Sequence, residues 1–492
     1  MASRDIGPIL KSLRGITTDV EQEADRLMKA WRPHIDRDAF RPSAQNLARY
    51  VALRHHDLRP LQRKLARFGL SSLGRLESRV APTLAAVTAS LAVLGEVARK
   101  ERHPPASAFF AGERRLAAEA RAIFGPVDHE ANVALLVTCP AVAAADPDFM
   151  MELAKRRIEA VRINCAHDDA DTWARMVAHL RAACASTGHS IKVFMDLAGP
   201  KIRTGKVQSH KHEKAHKGDL LVMTAVGGFG AIKCDKHHIA VECTLAEVLL
   251  AATPGDRVFV DDGKLGAEIE ARKPWGLVAR VTLAKETGVH LKSEKALNFP
   301  DTALDIPALT DADREALPFV AEHADGIEFS FVQSADDVRQ LQEALCELRP
   351  DNWREKILVL KIETAQGVVN LPDILVQAAG RQPTAIMIAR GDLSVEIGFA
   401  RTAEVQEELL WLAEAASVPS IWATQVLEKL VKSGTPSRGE MTDAAMAARA
   451  ECVMLNKGPH LLEAIDQLRL LFGRMEDHQH KKFAKLRRLH SW

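Results

Sequence analysis

An ammonium group and a carboxylate follow one strongly apolar stretch of the chain. Residues 357–360 are all β-branched or leucine, which is typical of a buried strand, and Lys361 and Glu363 come directly after them. Because side chains alternate along a strand, Lys361 and Glu363 point the same way. Two charges at the end of a buried strand cost free energy unless they pair or bind a ligand. Taken alone, this dyad fits a structural ion pair as well as a functional site.

Other short apolar runs also end in polar residues that could do chemistry. These candidates are Arg162, Asn164 and His167 after one run, Asp196, Lys201 and Arg203 after a second, Arg390, Gly391 and Asp392 after a third, and Thr424 after a fourth. Glu363 and Asp392 offer carboxylate oxygens, which suit Mg²⁺ or Mn²⁺ and leave positions open for substrate oxygens. The arginines and Lys361 suit the negative oxygens of a phosphoryl group. Gly391 lets its backbone N–H come close to a substrate carboxylate.

The elements that must position these residues alternate between short apolar runs and helical patterns. We expect eight strands, near residues 133–138, 160–163, 191–195, 326–329, 357–360, 385–388, 420–423 and 452–455. Eight such βα units predict an α/β fold, the TIM (β/α)8 barrel, with an open doubly wound sheet as the alternative. In a barrel the carboxyl ends of the strands meet on one rim. The candidate residues would therefore converge there.

The remaining segments predict two additions to the barrel. Residues 1–130 form a helical extension, with helical spacing at 20–31, 44–53, 58–68, 73–94 and 113–123. The barrel occupies 131–205 and 298–476, a β-rich lid domain is inserted at 206–297, and 477–492 form a tail. Within the lid, His210, His212 and His216 could ligate a metal, but a solvated basic turn is the favoured interpretation.

Composition excludes several classes of protein. The 492 residues carry a net charge of +1 with 27 % charged residues, which gives no argument for nucleic acid or membrane partners. The N-terminus has no apolar signal-peptide core, and the most apolar segment, 84–98, is too short to span a bilayer. Seven cysteines without a CxxC pair fit a reduced setting, so a cytoplasmic protein is expected.

Several long motifs resemble those of the pyruvate kinase family. They are VFMDLAGPKIRTG (193–205), FVDDGKLG (259–266), ILVLKIETAQGV (357–368), AIMIARGDLSVEIG (385–398), and ATQVLEKL (423–430) followed by PSRGEMTDAA (436–445). They stand in the family's order, and the resemblance covers about residues 133–475. The inserted segment lies where the family has its lid domain. Long motifs in register are far more specific than a single short one.

The resemblance implies phosphoryl transfer between phosphoenolpyruvate and ADP, giving pyruvate and ATP. It places the divalent metal, Mg²⁺ or Mn²⁺, on Glu363 and Asp392, and gives catalytic roles to Lys361, Thr424, Arg162 and Arg203. The substrate-binding set that it implies is Arg162, Lys361, Arg390, Gly391, Asp392 and Thr424. The nucleotide side is Asn164, His167, Arg203 and Lys295, and the monovalent-cation region is Asn164, Asp196 and Lys201.

Departures from the family pattern change some of these expectations. Ala166 stands where the family has a serine that helps to bind K⁺, and Lys201 stands where K⁺-dependent members have a glutamate. An ammonium within the chain can supply the charge of the ion, so we predict that K⁺ is not required. Asn456 and Lys457 replace part of another family motif, which puts nucleotide contacts in doubt. The family's C-terminal regulatory domain would begin near Trp492, so we expect self-association through the N-terminal helices instead.

Two alternatives stay open at this point. One is a metal-dependent lyase or aldolase that forms an enolate on the same barrel and uses Lys361, Glu363 and Asp392 without a nucleotide. The other is a catalytically silent relative that binds or regulates. Lys295 and Thr424 argue against the lyase, and the intact polar set argues against the silent relative. Ala166 and Lys457 are the residues that keep the silent relative open.

Overall fold

Helices alone build the N-terminal quarter of the chain. The computed structural model describes residues 2–97, 101–127, 132–209, 214–232, 238–302, 304 and 306–485. The first helices are α1 (Ala2–Trp31), α2 (Arg41–Arg54), α3 (Arg59–Arg67), α4 (Val80–Leu94), α5 (Ala106–Phe109) and α6 (Ala111–Phe124). Helix α4 begins at Val80 and not at 73, because Leu73 has a φ of +59°, which a right-handed helix cannot contain. His210 and His212 lie outside the described residues, and His216 is exposed.

A closed barrel of parallel strands follows, interrupted once. Its first part consists of β1 (Ala134–Thr138), α7 (Pro147–Lys155), β2 (Ala160–Asn164), α8 (Ala170–Thr187) and β3 (Lys192–Leu197). The inserted elements are β4 (Thr204–Ser209), β5 (Leu220–Ala225), β6 (His238–Cys243), α9 (Ala246–Ala251), β7 (Arg257–Val260), β8 (Leu265–Lys273), β9 (Gly276–Leu283) and β10 (Leu297–Asn298). They form one sheet in the order β10-β7-β8-β9-β5-β6-β4, with its own apolar core.

The second part of the barrel alternates strands and helices to its end. It consists of α10 (Asp311–His323), β11 (Gly326–Phe329), α11 (Ala335–Leu348), β12 (Ile357–Ile362), α12 (Ala365–Val369), α13 (Leu371–Ala379), β13 (Thr384–Ala389), α14 (Arg390–Ile397), α15 (Phe399–Ala415), β14 (Ser420–Ala423), α16 (Glu428–Ser433), α17 (Arg438–Ala447), β15 (Cys452–Leu455) and α18 (Leu461–Glu476). A short hairpin of β16 (Gln479–His480) and β17 (Phe483–Ala484) follows.

Strand order settles the fold class. The eight barrel strands pair in parallel as β1-β2-β3-β11-β12-β13-β14-β15, and β15 returns to β1 through Ala134 opposite Cys452. This closure confirms the TIM barrel and excludes the open doubly wound sheet. The inserted sheet and the added N-terminal helices are confirmed as well. None of the helices in the described part of the chain is long and apolar enough to cross a membrane.

The N-terminal helices pack directly on the barrel. The indole N–H of Trp31 donates to Asp373 in α13 at 2.7 Å, and the backbone N–H groups of Asp36 and Arg37 donate to the carbonyl of Gly380. Buried Asn46 in α2 donates to the carbonyl of Ala415 at 2.9 Å. The apolar residues of this region belong to the same core as those around the barrel. The extension is therefore built onto α13 and α15.

Candidate active site

Four charged side chains form one network of ion pairs at the carboxyl ends of β2, β3, β11 and β12: Arg162, Asp196, Glu328 and Lys361. The Asp196 carboxylate accepts from the guanidinium of Arg162 on one side and from Lys361 Nζ, at 3.1 Å, on the other. Asp196 is 2 % exposed and Lys361 is 8 % exposed. Burial alone would raise the pKa of Asp196, but Arg162 and Lys361 outweigh it and lower that pKa. Asp196 therefore stays ionised between two cations.

Glu328 of β11 is a member of this network that the sequence argument missed. Its Oε2 accepts from Arg162 Nε at 2.9 Å, and its Oε1 is buried without a hydrogen-bond partner among the described residues. Burial raises the pKa of Glu328 to about 7, opposed by Arg162 and supported by Asp196. The same two carboxylates raise the pKa of Arg162 against the effect of burial.

Lys361 also joins β12 to the loop after β11. Its Nζ donates to the hydroxyl of Ser330 at 2.6 Å and lies 3.3 Å from Oε1 of Glu363. The other oxygen of Glu363 accepts from the backbone N–H of Phe331 at 2.8 Å. Burial opposes the charge of Lys361, but Asp196 and Glu363 outweigh it and raise the pKa of that lysine. The dyad that opened the sequence argument is thus an ion pair inside a larger network.

Lys201 forms the second ion pair of the rim. Its Nζ donates to both oxygens of Asp392 at 2.9 Å, so it joins the loop after β3 to the first turn of α14. The turn before it requires Gly199, which has a φ of +66° and whose added Cβ would come within 2.9 Å of Ser330 Cβ. Among the residues predicted for the monovalent-cation region, Asn164 and Asp196 are register partners on β2 and β3, whereas Lys201 lies in the loop after β3 and pairs with Asp392. Asp196 faces Arg162 and Lys361, while the Asn164 amide oxygen accepts from the N–H of Ala166.

Glu363 and Asp392 have the chemistry that a divalent cation needs. Burial raises the pKa of Glu363, and the nearby charge of Asp392 adds to that effect. Asp392 already binds one cation, the ammonium of Lys201. The described residues contain no group of three or more potential metal ligands among His, Cys, Asp and Glu. Two carboxylates fit a metal that takes its other ligands from substrate and water.

The loop after β14 has a strained backbone. Thr424 has a φ of +64°, and Gln425 and Leu427 are also left-handed, a conformation that is costly for a β-branched residue. The hydroxyl oxygen of Thr424 accepts from the backbone N–H of Gly391 at 2.8 Å. No described residue accepts the hydrogen of that hydroxyl. An added Cβ on Gly391 would meet Thr424 at an ordinary 3.7 Å, so packing does not require glycine there.

Arg390 holds this strained loop. Its guanidinium donates to the carbonyl of Thr424 at 2.7 Å and to Asp443 at 2.9 Å, and it lies over the ring of Trp422 at 4.6 Å. The guanidinium is therefore engaged by groups of the protein. The structure thus gives Arg390 a supporting position behind Thr424.

The remaining candidates lie toward the lid. Arg203 pairs with Ala296 in an isolated bridge, which brings Arg203 close to Lys295 where the lid joins the barrel. Lys295 lies 3.2 Å from Asp261 in the lid, and Arg203 has no ion pair with a described carboxylate. His167 is exposed, and its ring has no polar contact with a described residue. These three residues are apart from the buried network.

Glu328 and Ser330 were missed for a simple reason. The predicted site rests on the ends of five strands and leaves out the end of 326–329, where Ser330 follows the last strand residue. Applying the same rule there would have found Ser330. Glu328 carried a second signal, because it is a single carboxylate inside an otherwise apolar strand.

Comparison with known proteins gives one consistent family. The family model described as "Pyruvate kinase, barrel domain" matches residues 133–459. The chain is 31 % identical over 336 residues to the pyruvate kinase of Eimeria tenella, covering 67 % of this chain and 60 % of that protein. It is 30 % identical over 319 residues to that of Hypocrea jecorina, covering 63 % and 56 %, and 31 % identical over 338 residues to pyruvate kinase PKLR of Rattus norvegicus, covering 66 % and 56 %. The chain thus spans 56–60 % of the length of these relatives.

Proposed function

The chain belongs to the pyruvate kinase family, and we propose that it transfers a phosphoryl group from phosphoenolpyruvate to ADP, giving pyruvate and ATP. The observation that carries this proposal is the buried network of Arg162, Lys361 and Glu363, together with the ion pair of Lys201 and Asp392, on the rim of the family's own barrel. Family membership implies the use of a divalent metal in general.

The balance of charge on the rim supports an anionic substrate together with a metal. The three cations Arg162, Lys361 and Lys201 face four carboxylates, those of Asp196, Glu328, Glu363 and Asp392. The carboxylates are therefore in excess by one when all are ionised. An anionic substrate alone would meet a site without spare positive charge. A divalent cation that enters with it removes that repulsion.

Glu363 and Asp392 would hold this metal, Mg²⁺ or Mn²⁺, through their carboxylate oxygens. When bound, the metal neutralises charge on the phosphoryl oxygens and on the substrate carboxylate. Lys201 shares Asp392, so its ammonium must move aside or remain as a neighbouring cation. In the second case Lys201 supplies the charge that K⁺ brings to other members of the family, and the reaction does not require K⁺.

Lys361 acts on the bond that breaks. As the phosphoryl group leaves the enol oxygen of phosphoenolpyruvate for an oxygen of the ADP β-phosphate, the electrons of the broken P–O bond stay on the enolate oxygen. The ammonium of Lys361, fixed by Ser330 and Asp196, is a preorganised partner for this developing charge. Arg162 contributes a second fixed cation from β2, held by Asp196 and Glu328.

Thr424 takes part in the proton transfer that converts the enolate into pyruvate. The enolate carbon must gain one proton after transfer, and the hydroxyl of Thr424 has its hydrogen free of described acceptors while its oxygen accepts from Gly391. Asp392, in the first turn of α14, would offer its backbone N–H to the substrate carboxylate, and Gly391 would do so by giving up its hydrogen bond to Thr424. Arg390 supports the loop rather than the substrate. Arg203, Lys295, Asn164 and His167 form the nucleotide side, where closure of the lid brings them to ADP.

The cellular setting and assembly are proposals of the same kind. We place the protein in the cytoplasm, since the described cysteines are free thiols. Self-association through the N-terminal helices uses their outer surface, because their inner face packs on α13 and α15. Sedimentation of the full-length protein measures its mass directly. A mass equal to one chain of 54.0 kDa at every concentration contradicts self-association.

A coupled assay of pyruvate formation tests the proposed reaction. Purified protein is given phosphoenolpyruvate and ADP with Mg²⁺, once with KCl and once with a tetramethylammonium salt. We expect equal turnover in both buffers. Turnover only with KCl overturns the role of Lys201 but keeps the kinase. No pyruvate in either buffer, with Mg²⁺ binding still measurable by calorimetry, overturns the kinase and favours the lyase or the silent relative.

A further inference from the structure

A cavity lies at the opposite end of the barrel from the rim. It has a volume of about 490 Å³. Its walls come from α6, from the start of β1, from the residues between α17 and β15, and from the C-terminal hairpin. We call it the base cavity. All of the phosphoryl-transfer candidates are on the rim, so the base cavity is a separate site.

One carboxylate of the base cavity has no partner among the described residues. Glu414, near the end of α15, is 7 % exposed and lines the cavity. No hydrogen bond or ion pair joins its carboxylate to any described residue. Burial raises the pKa of Glu414 to about 7, with Lys481 and Lys482 opposing the shift and Glu77 and Glu451 adding to it. The Glu414 carboxylate faces the cavity and not packed protein, so solvent or a ligand there can donate to its oxygens.

The other carboxylates of the cavity already have cations. Glu113 contacts Arg79 at 2.6 Å, Glu476 contacts Lys485 at 2.7 Å, and Glu451 pairs with Lys481. Glu451 also accepts from the backbone N–H and the hydroxyl of Ser420 at 2.9 Å. These pairs leave Glu414 as the carboxylate that can accept a new donor.

None of the described cations of the cavity contacts Glu414 directly. Arg449 holds both oxygens of Glu407 at 2.9 Å, and Lys481 is engaged by Glu451. Arg121 is exposed, so its charge is screened by solvent. A direct contact to Glu414 is therefore open to a cation from outside the protein.

One part of the wall is apolar. Leu116, Ala120 and Phe124 of α6 and Phe483 of the hairpin line the cavity beside Glu414. We propose that the base cavity binds a small primary amine with an apolar body, whose ammonium donates to Glu414 while the body packs against α6 and the hairpin. An ammonium on a carboxylate forms a charge-assisted hydrogen bond, which is stronger than a neutral one. The apolar body adds burial of hydrophobic surface.

Titration calorimetry on the full-length protein at pH 8 tests this proposal. The probe is 2-phenylethylamine, and its neutral analogue 2-phenylethanol has the same shape without the charge. We expect saturable binding of one amine per chain and affinity for the alcohol lower by about tenfold or more. Failure of the amine to bind, or equal binding of the alcohol, overturns the proposal. The readout needs neither phosphoenolpyruvate nor ADP, so it stands apart from the test of the kinase.

Variants place the probe in the cavity. Glu414→Gln keeps the size of the side chain and should weaken amine binding about tenfold or more. Glu113→Gln is the matched control, because that carboxylate lines the same cavity but already pairs with Arg79, and binding should change less than twofold. If Glu414→Gln does not fold, Ala120→Leu fills the cavity from α6 and should abolish binding. Unchanged binding in a folded Glu414→Gln or Ala120→Leu protein contradicts the assignment.

Discussion

The two ends of the barrel both bury charge, but they do so differently. On the rim, Asp196 is shared by Arg162 and Lys361, and Arg162 is shared by Asp196 and Glu328. At the base, the pairs are one to one: Lys481 pairs with Glu451, and Lys482 pairs with Glu77. The rim charges belong to strands and strand ends, whereas both base lysines belong to the C-terminal hairpin.

The difference between shared and one-to-one ion pairs indicates a different role for each network. A shared network on rigid strands holds several charges in fixed geometry, which catalysis of charge transfer requires. A one-to-one pair between a hairpin and the body of the protein joins two segments. The base pairs are reinforced by Phe483, whose ring lies 4.8 Å from the guanidinium of Arg75 and 5.2 Å from that of Arg79. Charge at the base therefore joins segments of the fold, and the proposed role of charge at the rim is to support phosphoryl transfer.

The largest expected effect comes from removing one lysine at each end. Lys361→Met should lower kcat by about a hundredfold to a thousandfold or more, because the developing enolate loses a preorganised cation. Lys482→Met should leave kcat within about twofold and lower Tm, because it leaves the buried Glu77 without its cation. Steady-state kinetics and thermal unfolding of both variants check this. Equal loss of kcat in the two variants would contradict the proposed difference in role between charge at the rim and charge at the base.

Thr424 gives the next largest effect. Thr424→Val removes the hydroxyl but keeps a β-branched side chain in the strained conformation, so it isolates the proton step. We expect kcat to fall by about a hundredfold with little change in Tm. Thr402→Val is the control, because Thr402 is not a candidate site residue and its buried hydroxyl donates to the carbonyl of Gly398, at the start of its own helix. Normal turnover by Thr424→Val would exclude the hydroxyl from the reaction.

The two titrating glutamates separate stability from activity. Burial raises the pKa of Glu328 and of Glu414 from 4.5 to about 7. The folded protein then binds these protons more tightly than the unfolded chain, so the free energy of unfolding falls as pH rises from 4.5 to about 7. In each Glu→Gln variant, the decrease in the free energy of unfolding over this pH range should be smaller by about 1–3 kcal/mol. Denaturant unfolding at several pH values measures it.

Only the rim variant should also change catalysis. Glu328→Gln weakens the hold on Arg162 and should shift the pH profile of kcat near pH 7, whereas Glu414→Gln should not. Burial and the nearby charge of Asp392 raise the pKa of Glu396 to about 7. Both variants keep Glu396, so its contribution to the two pH profiles is the same. Identical pH profiles for the two variants would show that Glu328 is structural only.

Lys201 gives the smallest effect. Lys201→Ala removes the ammonium from Asp392, and we expect turnover to become a few-fold higher with KCl than without it. Lys155→Ala removes an exposed lysine paired with Glu152 and should show no such ratio. The coupled assay with and without KCl gives both values. A ratio of one for Lys201→Ala would mean that Lys201 does not replace the ion.

The sequence predicted most of what the strands position. All eight barrel strands were placed within two residues of their ends, because apolar runs bounded by helical patterns are a local signal. Lys361, Glu363, Asp196 and Arg162 were found from the rule of strand ends, and they do meet. The partner of Lys201 was not found, because contact with Asp392 joins residues 191 positions apart.

What could not be predicted depends on packing between distant segments. The unpartnered carboxylate of Glu414 follows from the arrangement of α6, α15 and the hairpin, which no local pattern encodes. The late start of α4 depends on the left-handed backbone at Leu73, a residue with good helix propensity. Tertiary structure overrode propensity there.

The most direct test follows the phosphorus atom itself. Phosphorus NMR of phosphoenolpyruvate and ADP with the wild-type protein and Mg²⁺ should show loss of the phosphoenolpyruvate signal and growth of the γ-phosphate signal of ATP. The Lys361→Met protein should show neither change on the same timescale. Inorganic phosphate in place of ATP, or unchanged phosphoenolpyruvate with the wild-type protein, would contradict phosphoryl transfer by the rim.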